Sequence, residues 1–149
     1  MMMRKILLVY LTLVPLISFA QSKGDIVIEW LETQEMYYGD YKINAPVFAG
    51  KNYNYDTVTN SIFYLLNLTE SSSFEGNSIQ LTNVVYESVL ASQLGDLDLK
   101  SIPKVPSPTL KTAISRDIKQ QFLVLYPIVK DELGYKRIKS FSYSVNGNA

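Results

Sequence analysis

The chain reads KQQFLVLYPIV over residues 119–129 and YKRIKSFSYSV over residues 135–145, and this pair of runs decides the fold. In the first run Phe122, Val124, Tyr126 and Ile128 fall on one side of an extended chain, with Leu123 and Leu125 on the other. In the second, Phe141, Tyr143 and Val145 alternate with Ser142 and Ser144. Period two is the spacing of a strand, because successive side chains point to opposite faces. Asp131-Glu132-Leu133-Gly134 between them has turn chemistry, so the sequence predicts a long antiparallel hairpin around Gly134. Pro127 lacks a backbone donor and places the first arm at a sheet edge or on a bulge.

Working outward, residues 61–68, SIFYLLNL, put Ile62, Tyr64, Leu66 and Leu68 on one face and Phe63 and Leu65 on the other. Both faces are apolar, which suits an interior strand of a sandwich or one lying against another domain. DIVIEWL at 25–31 alternates, with Ile26, Ile28 and Trp30 opposite Val27, Glu29 and Leu31. Tyr37 to Ile43 predicts two short strands turning at Gly39, followed by a break at Pro46–Gly50 in which Val47 and Phe48 anchor the core. Residues 50–60 read as a polar loop carrying Tyr53 and Tyr55, and residues 70–78 as another loop. A strand follows, with Ile79, Leu81 and Asn83 alternating with Gln80, Thr82 and Val84. Three prolines within 100–110 predict an extended crossing. TLKTAISRD at 109–117 is expected as a short helix, with Leu110, Ala113 and Ile114 on one side. The expected fold is all-β: an antiparallel β-sandwich or partly closed barrel with one short helix. There is no internal repeat of fixed period.

The start, Met1-Met2-Met3-Arg4-Lys5, then an apolar run from Ile6 to Phe19 and small residues up to Ala20, has the layout of a secretory signal peptide cut before Gln21. The run is shorter than the roughly 20 residues a membrane-spanning helix needs. No later segment reads as a spanning helix either, so none is expected after signal cleavage. The domain division is then 1–20 signal peptide, 21–146 β-rich domain, and 147–149 the start of a linker or a truncated end. Losing Arg4 and Lys5 takes the 14 basic residues to 12 against 14 acidic ones. A near-neutral surface offers no electrostatic case for nucleic acid. Cysteine and histidine are both absent, which removes thiolate nucleophiles, imidazole bases and the usual zinc ligands. An exported domain without cysteine holds together by packing rather than by disulfides.

Few residues bear on chemistry. Asp96 and Asp98, two apart among Leu94, Leu97 and Leu99, share one face if the chain is extended. They lack the further oxygen ligands of a calcium loop, and the separation across a substrate that glycoside cleavage needs. An exposed acidic turn is the expectation. Tyr53 and Tyr55 resemble a ligand platform; the plainer expectation is rings capping an open end of the core with hydroxyls in water. Ser71, Ser72, Ser73, Ser88, Ser92 and Ser115 lie in no nucleophile elbow. No phosphate loop or dinucleotide fingerprint is present. Asn67-Leu68-Thr69 fits the N-glycosylation pattern. Lys136, Arg137 and Lys139 suit a sheet edge protected by charge. No catalytic, cofactor-binding or metal-ligating residue is assigned, and no cofactor is expected.

The run NVVYESVLASQLGDLDLKSIP at 83–103, with IEW at 28–30, YGDYKI at 38–43 and GYKRIKSFSYSV at 134–145, resembles the amino-terminal region of the PorU family. These are gingipain-like sortases of the type IX secretion system in Bacteroidota. The likeness spans the segment after the leader. It implies a propeptide-like β-rich domain ahead of a cysteine peptidase, in a large protein of the periplasm or outer-membrane surface. Such a protein removes C-terminal sorting signals and attaches cargo to anionic lipopolysaccharide through a Cys–His pair. This sequence holds neither residue type, so no catalytic position carries over. The resemblance implies an amino-terminal piece that packs on a downstream gingipain-like peptidase domain and meets other type IX outer-membrane components. The alternative is a free-standing exported binding or assembly protein with the same fold. The expected docking face is formed by Phe63, Leu65, Leu123 and Leu125.

Overall fold

Leu123 and Leu125, two apart on one strand, are both 0 % exposed, and they locate the centre of the molecule. The structure is a computed structural model that describes residues 21–68 and 75–148. The leader with its cut after Ala20, Ser71 to Ser73, and Thr69 of the glycosylation pattern lie outside the described residues. Ten strands follow in order: β1 (Gln21–Val27), β2 (Gln34–Tyr38), β3 (Tyr41–Ala45), β4 (Tyr53–Asp56), β5 (Ser61–Asn67), β6 (Glu75–Val89), β7 (Thr109–Ser115), β8 (Ile118–Leu125), β9 (Ile128–Asp131) and β10 (Gly134–Asn148). The helical content of the described residues is two single-turn 3-10 segments, Ala91–Leu94 and Leu99–Ser101.

All pairings are antiparallel. One sheet runs β1-β10-β6, with β9 also on β10; a second runs β4-β5-β8-β7; β2 and β3 form a separate hairpin. The two larger sheets meet face to face. Tyr64, Leu123 and Leu125 from one pack with Ile28, Ile138 and Phe141 from the other, around Phe48. Burial of each such side chain is worth about 1.5–3 kcal/mol, so this contact is the main stabilising term between the sheets. The fold class is the expected all-β sandwich; among the described residues the sheets do not close into a barrel.

The hairpin around Gly134 forms, but only four residues on β9 pair with β10, Ile128 to Asp131 opposite Arg137 to Gly134. The expected long first arm is split. β8 ends at Leu125 in one sheet and β9 begins at Ile128 in the other, so the chain changes sheet across Tyr126-Pro127. Pro127 is fully buried, and its carbonyl accepts from Ile138 N at 2.9 Å. Lacking an N–H, it can leave a ladder without orphaning a donor. The free side of β9 is then occupied by the proline-rich crossing, through Lys130 N to Pro103 O at 2.9 Å.

The short helix expected at 109–117 is a strand. Ser115 to Thr109 pair in continuous register with Ile118 to Val124. Arg116 and Asp117 both have positive φ, 52° and 64°. This is the backbone of the two-residue turns that match strand twist, and Arg is not a residue that advertises it. The helical spacing of Leu110, Ala113 and Ile114 was coincidental; Ile114 is 72 % exposed. Tyr53 to Asp56, expected within a loop, form β4 on the edge of β5. β10 is central rather than an edge, flanked by β6 on one side and by β1 and β9 on the other.

Bulges explain why simple alternation fails along β6 and β10. Lys139 is an extra residue between the Ile138–Tyr86 and Ser140–Val85 pairs, which lets Ile138 and Phe141, three apart, both enter the core. Asn83, at φ 52°, lies in the second irregularity and shifts the inward set from Ile79 and Leu81 to Val84. Gly147 and Asn148, set aside above as the start of a linker, pair with Gly76 and Glu75.

Candidate interaction surface

Cross-strand register assigns each residue of the β4-β5-β8-β7 sheet to a face, because directly opposed residues share one. Tyr64 opposes Leu125 and Leu66 opposes Leu123, so those four point inward with the core. Leu65 opposes Val124, and Asn67 opposes Phe122, on the outward face. Phe63 belongs to the same face, and its ring sits 6.0 Å from that of Tyr126. The outward surface therefore carries Phe63, Leu65, Phe122, Val124 and Tyr126, with Asn54, Thr109 and Lys111 at its margins. Val124 is buried among its neighbours, and the other four are half-buried. Beside Leu65 and Phe122 lies a depression of about 190 Å³ that reaches Lys51 and Asn52.

This corrects half of the expected docking face. Phe63 and Leu65 are on it. Leu123 and Leu125 are in the core, and Phe122, Val124 and Tyr126 take their place. The alternation separates Leu123 and Leu125 from Phe122, Val124 and Tyr126, while Ile128, grouped with the latter, enters the core after the change of sheet; which set faced inward depended on the pairing with β5, for which period two carries no signal.

Asp96 and Asp98 do not come together. Asp96 clamps β3: its Oδ2 accepts from Asn44 N at 2.8 Å, while its own N donates to Asn44 O at 2.7 Å. Gly95 makes this approach possible. At φ 58°, a Cβ there would overlap the Asn44 carbonyl. Asp98 instead caps the Leu99–Ser101 turn, accepting from Ser101 Oγ at 2.7 Å and Lys100 N at 3.1 Å. Those hydrogen bonds, that of Ser101 foremost, hold its carboxyl below the usual range. Between the two acids Leu97 is buried with Leu94, so the expected acidic turn, with Asp96 exposed, also serves as a latch on the core. Among the described residues no group of three or more His, Cys, Asp or Glu side chains is placed to hold a metal.

The tyrosine pair divides in two. Tyr53 is drawn into the core, its hydroxyl donating to Pro46 O at 3.0 Å and its ring edge-on to Phe48 at 5.0 Å. Burial pushes its phenol pKa far up, with Tyr38 and Tyr55 adding to the shift. The expectation of a hydroxyl in water fails for Tyr53. Tyr55 stacks on Tyr38 at 5.1 Å and donates to Asn60 Oδ1 at 2.9 Å, nearer the surface.

The basic residues of β10 are engaged. Arg137 lies over the Trp30 ring at 5.0 Å and donates to Glu87 Oε1 at 2.6 Å. Trp30 itself donates to Ile138 O at 2.8 Å and bridges to Phe48. Lys136 pairs with Asp131 at 2.6 Å. Lys139, on the bulge, is exposed. Of the serines within the described residues, Ser88 and Ser115 sit on strands and Ser92 in a 3-10 turn, all exposed. Among the described residues no helix is long and apolar enough to cross a membrane.

The fold and surface define an all-β sandwich with no cysteine or histidine for peptide-bond chemistry and an apolar strip on one outer sheet face. Comparison with solved structures finds the same fold in the complex of the pro- and mature domains of RgpB from Porphyromonas gingivalis, at 11 % identity and a TM-score of 0.53. The match covers 89 % of this chain and 80 % of that one. No protein-family profile matches the sequence, and no curated protein matches it.

Proposed function

We propose that this chain is an exported, non-catalytic binding domain that docks on a folded protein through the outward face of the β4-β5-β8-β7 sheet. The observation that carries the reading is the strip of Phe63, Leu65, Phe122 and Tyr126 on that face. An outer face built from aromatic and branched apolar residues is the composition of an interface core rather than of a solvated sheet. Export rests on the leader at 1–20, and the corresponding location is the periplasm or the outer-membrane surface.

The partner we favour is a gingipain-like cysteine peptidase domain. Two supports point the same way: the shared fold with a complex that contains pro- and mature domains, and the PorU-like motifs. Those motifs now have structural roles. Trp30 holds β10, Tyr38 to Ile43 make the β2–β3 turn, and Val84 to Leu99 run from β6 into the Asp96 latch. In the finer form of this reading the domain precedes the peptidase of a type IX secretion sortase and contacts other components of that system. The test is co-expression of the chain with the candidate peptidase domain and measurement of their association. Binding that is lost in Phe122→Asp and kept in Lys23→Glu, on the other sheet, is the expected result. No association between two folded partners overturns the peptidase reading.

A further inference from the structure

A second surface lies between the Leu99–Ser101 turn and the β9–β10 hairpin. It is an open groove of about 490 Å³ whose apolar lining is Leu99 and Ile102. Lys100, Lys104 and Lys130 stand around it. Two carboxylates share the rim, Asp131 and Glu132, but they are not equivalent. Asp131 is turned to Lys136 at 2.6 Å and accepts from Leu133 N at 2.8 Å, so its charge is already answered. Glu132 is exposed and is left to offset one of the three ammonium groups. The walls are fixed to each other by Lys130 N to Pro103 O at 2.9 Å, and Lys130 is held over the Tyr135 ring at 5.3 Å.

We propose that this groove binds an extended acidic polypeptide segment carrying at least one large apolar side chain. The lining combines three lysines, drawn from two separate segments of the chain, with two apolar side chains and no arginine, which suits carboxylates distributed along a chain that also carries an apolar residue. A compact phosphate is better met by converging backbone N–H groups or the fork of an arginine. Leu99 and Ile102 supply the apolar burial, and the lysines supply attraction and selection against basic segments. This site does not depend on the identity of the protein that docks on the β4-β5-β8-β7 sheet.

Fluorescence anisotropy with the full chain tests it, using three labelled peptides of equal length. One alternates Glu and Leu, one replaces Glu by Lys, and one replaces Leu by Ser. Only the Glu/Leu peptide is expected to bind well, with affinity falling as salt rises from about 0.05 M to about 0.5 M. Lys100→Glu with Lys104→Glu should weaken it roughly tenfold. Lys23→Glu should leave it unchanged. Both lysines of the double variant are exposed, and an unaltered thermal unfolding transition checks that the fold is kept. Absence of binding, or binding indifferent to the double charge reversal, overturns the site. Equal binding of the Glu/Ser peptide, or tighter lysine-dependent binding of a sulfated polysaccharide, overturns the polypeptide as its ligand.

Discussion

The two large sheets are built on the same antiparallel geometry, yet their outer faces are finished differently. On the β1-β10-β6 sheet the outward rows run Lys23, Ser144, Gln80 and Asp25, Ser142, Thr82, with Ser142 Oγ bonded to Asp25 at 2.6 Å. On the β4-β5-β8-β7 sheet they run Leu65, Val124, Thr109 and Asn67, Phe122, Lys111, with Phe63 and Tyr126 adjacent. Both inner faces feed one core, so core formation does not explain the contrast. A sheet covered on one side only reads apolar-in and polar-out. The first sheet obeys that rule in these two rows and departs from it in the next, where Val27 and Val85 flank Ser140 as isolated exposed valines; the second departs from it in both rows and adds two aromatic rings. The difference is the physical ground on which a partner is proposed for the second sheet.

The largest way to break the comparison is to confuse inside with outside on one strand. Leu125→Ala, or Phe141→Ala across the core, should cost about 3–5 kcal/mol in urea unfolding. Phe122→Ala, one strand position from the core set, should cost less than about 1.5 kcal/mol and act mainly on partner binding. Equal losses for Leu125→Ala and Phe122→Ala would erase the distinction between the faces. Next in size is the latch that seats the 3-10 segments under the core: Gly95→Ala combines positive φ with a clash on the Asn44 carbonyl. It should cost more than about 1 kcal/mol, seen as a lowered urea midpoint. Between the sheets, Trp30→Phe keeps the ring against Phe48 but removes the donor to the Ile138 carbonyl. A loss of about 1–3 kcal/mol is expected, because the acceptor stays partly buried.

The smallest effect is in acid. Asp56, Asp98 and Asp131 all have carboxyl pKa values lowered by hydrogen bonding, to Val58 N foremost, to Ser101 foremost, and to Lys136 foremost. A carboxylate with a folded pKa below its unfolded one adds stability above the unfolded value of 3.8, and that stability is lost as pH falls through the folded pKa. Unfolding midpoints followed from about pH 5 to about pH 2 should therefore decline. Asp98→Asn should make the decline shallower. A slope unchanged by that substitution would remove Asp98 as a contributor.

Much of this was legible in the chain. Alternation found β5, β8 and β10, Gly39 marked the β2–β3 turn, and the strand-rich reading with no long helix gave the all-β class. The misses share a cause. Arg116-Asp117 adopts a left-handed turn whose usual markers are Asn and Gly, so the sequence of β7 reads as a helix. Lys139 and Asn83 sit in bulges that reverse the alternation locally, and a bulge has no fixed composition. Tyr53 reads as loop because its polar neighbours mask a four-residue edge strand.

By itself the sequence determined which residues can be buried, that β5, β8 and β10 extend, and that no thiol or imidazole is present to attack a peptide. Those follow from side-chain chemistry and from a period that is local. Which of the two faces of β8 turned inward, that Pro127 carries the chain from one sheet to the other, and that Asp96 and Asp98 serve different ends were settled only by tertiary structure. Each depends on a partner distant in sequence, β5, Ile138 or Asn44, and a pairing of that kind leaves no mark on the residues next to it.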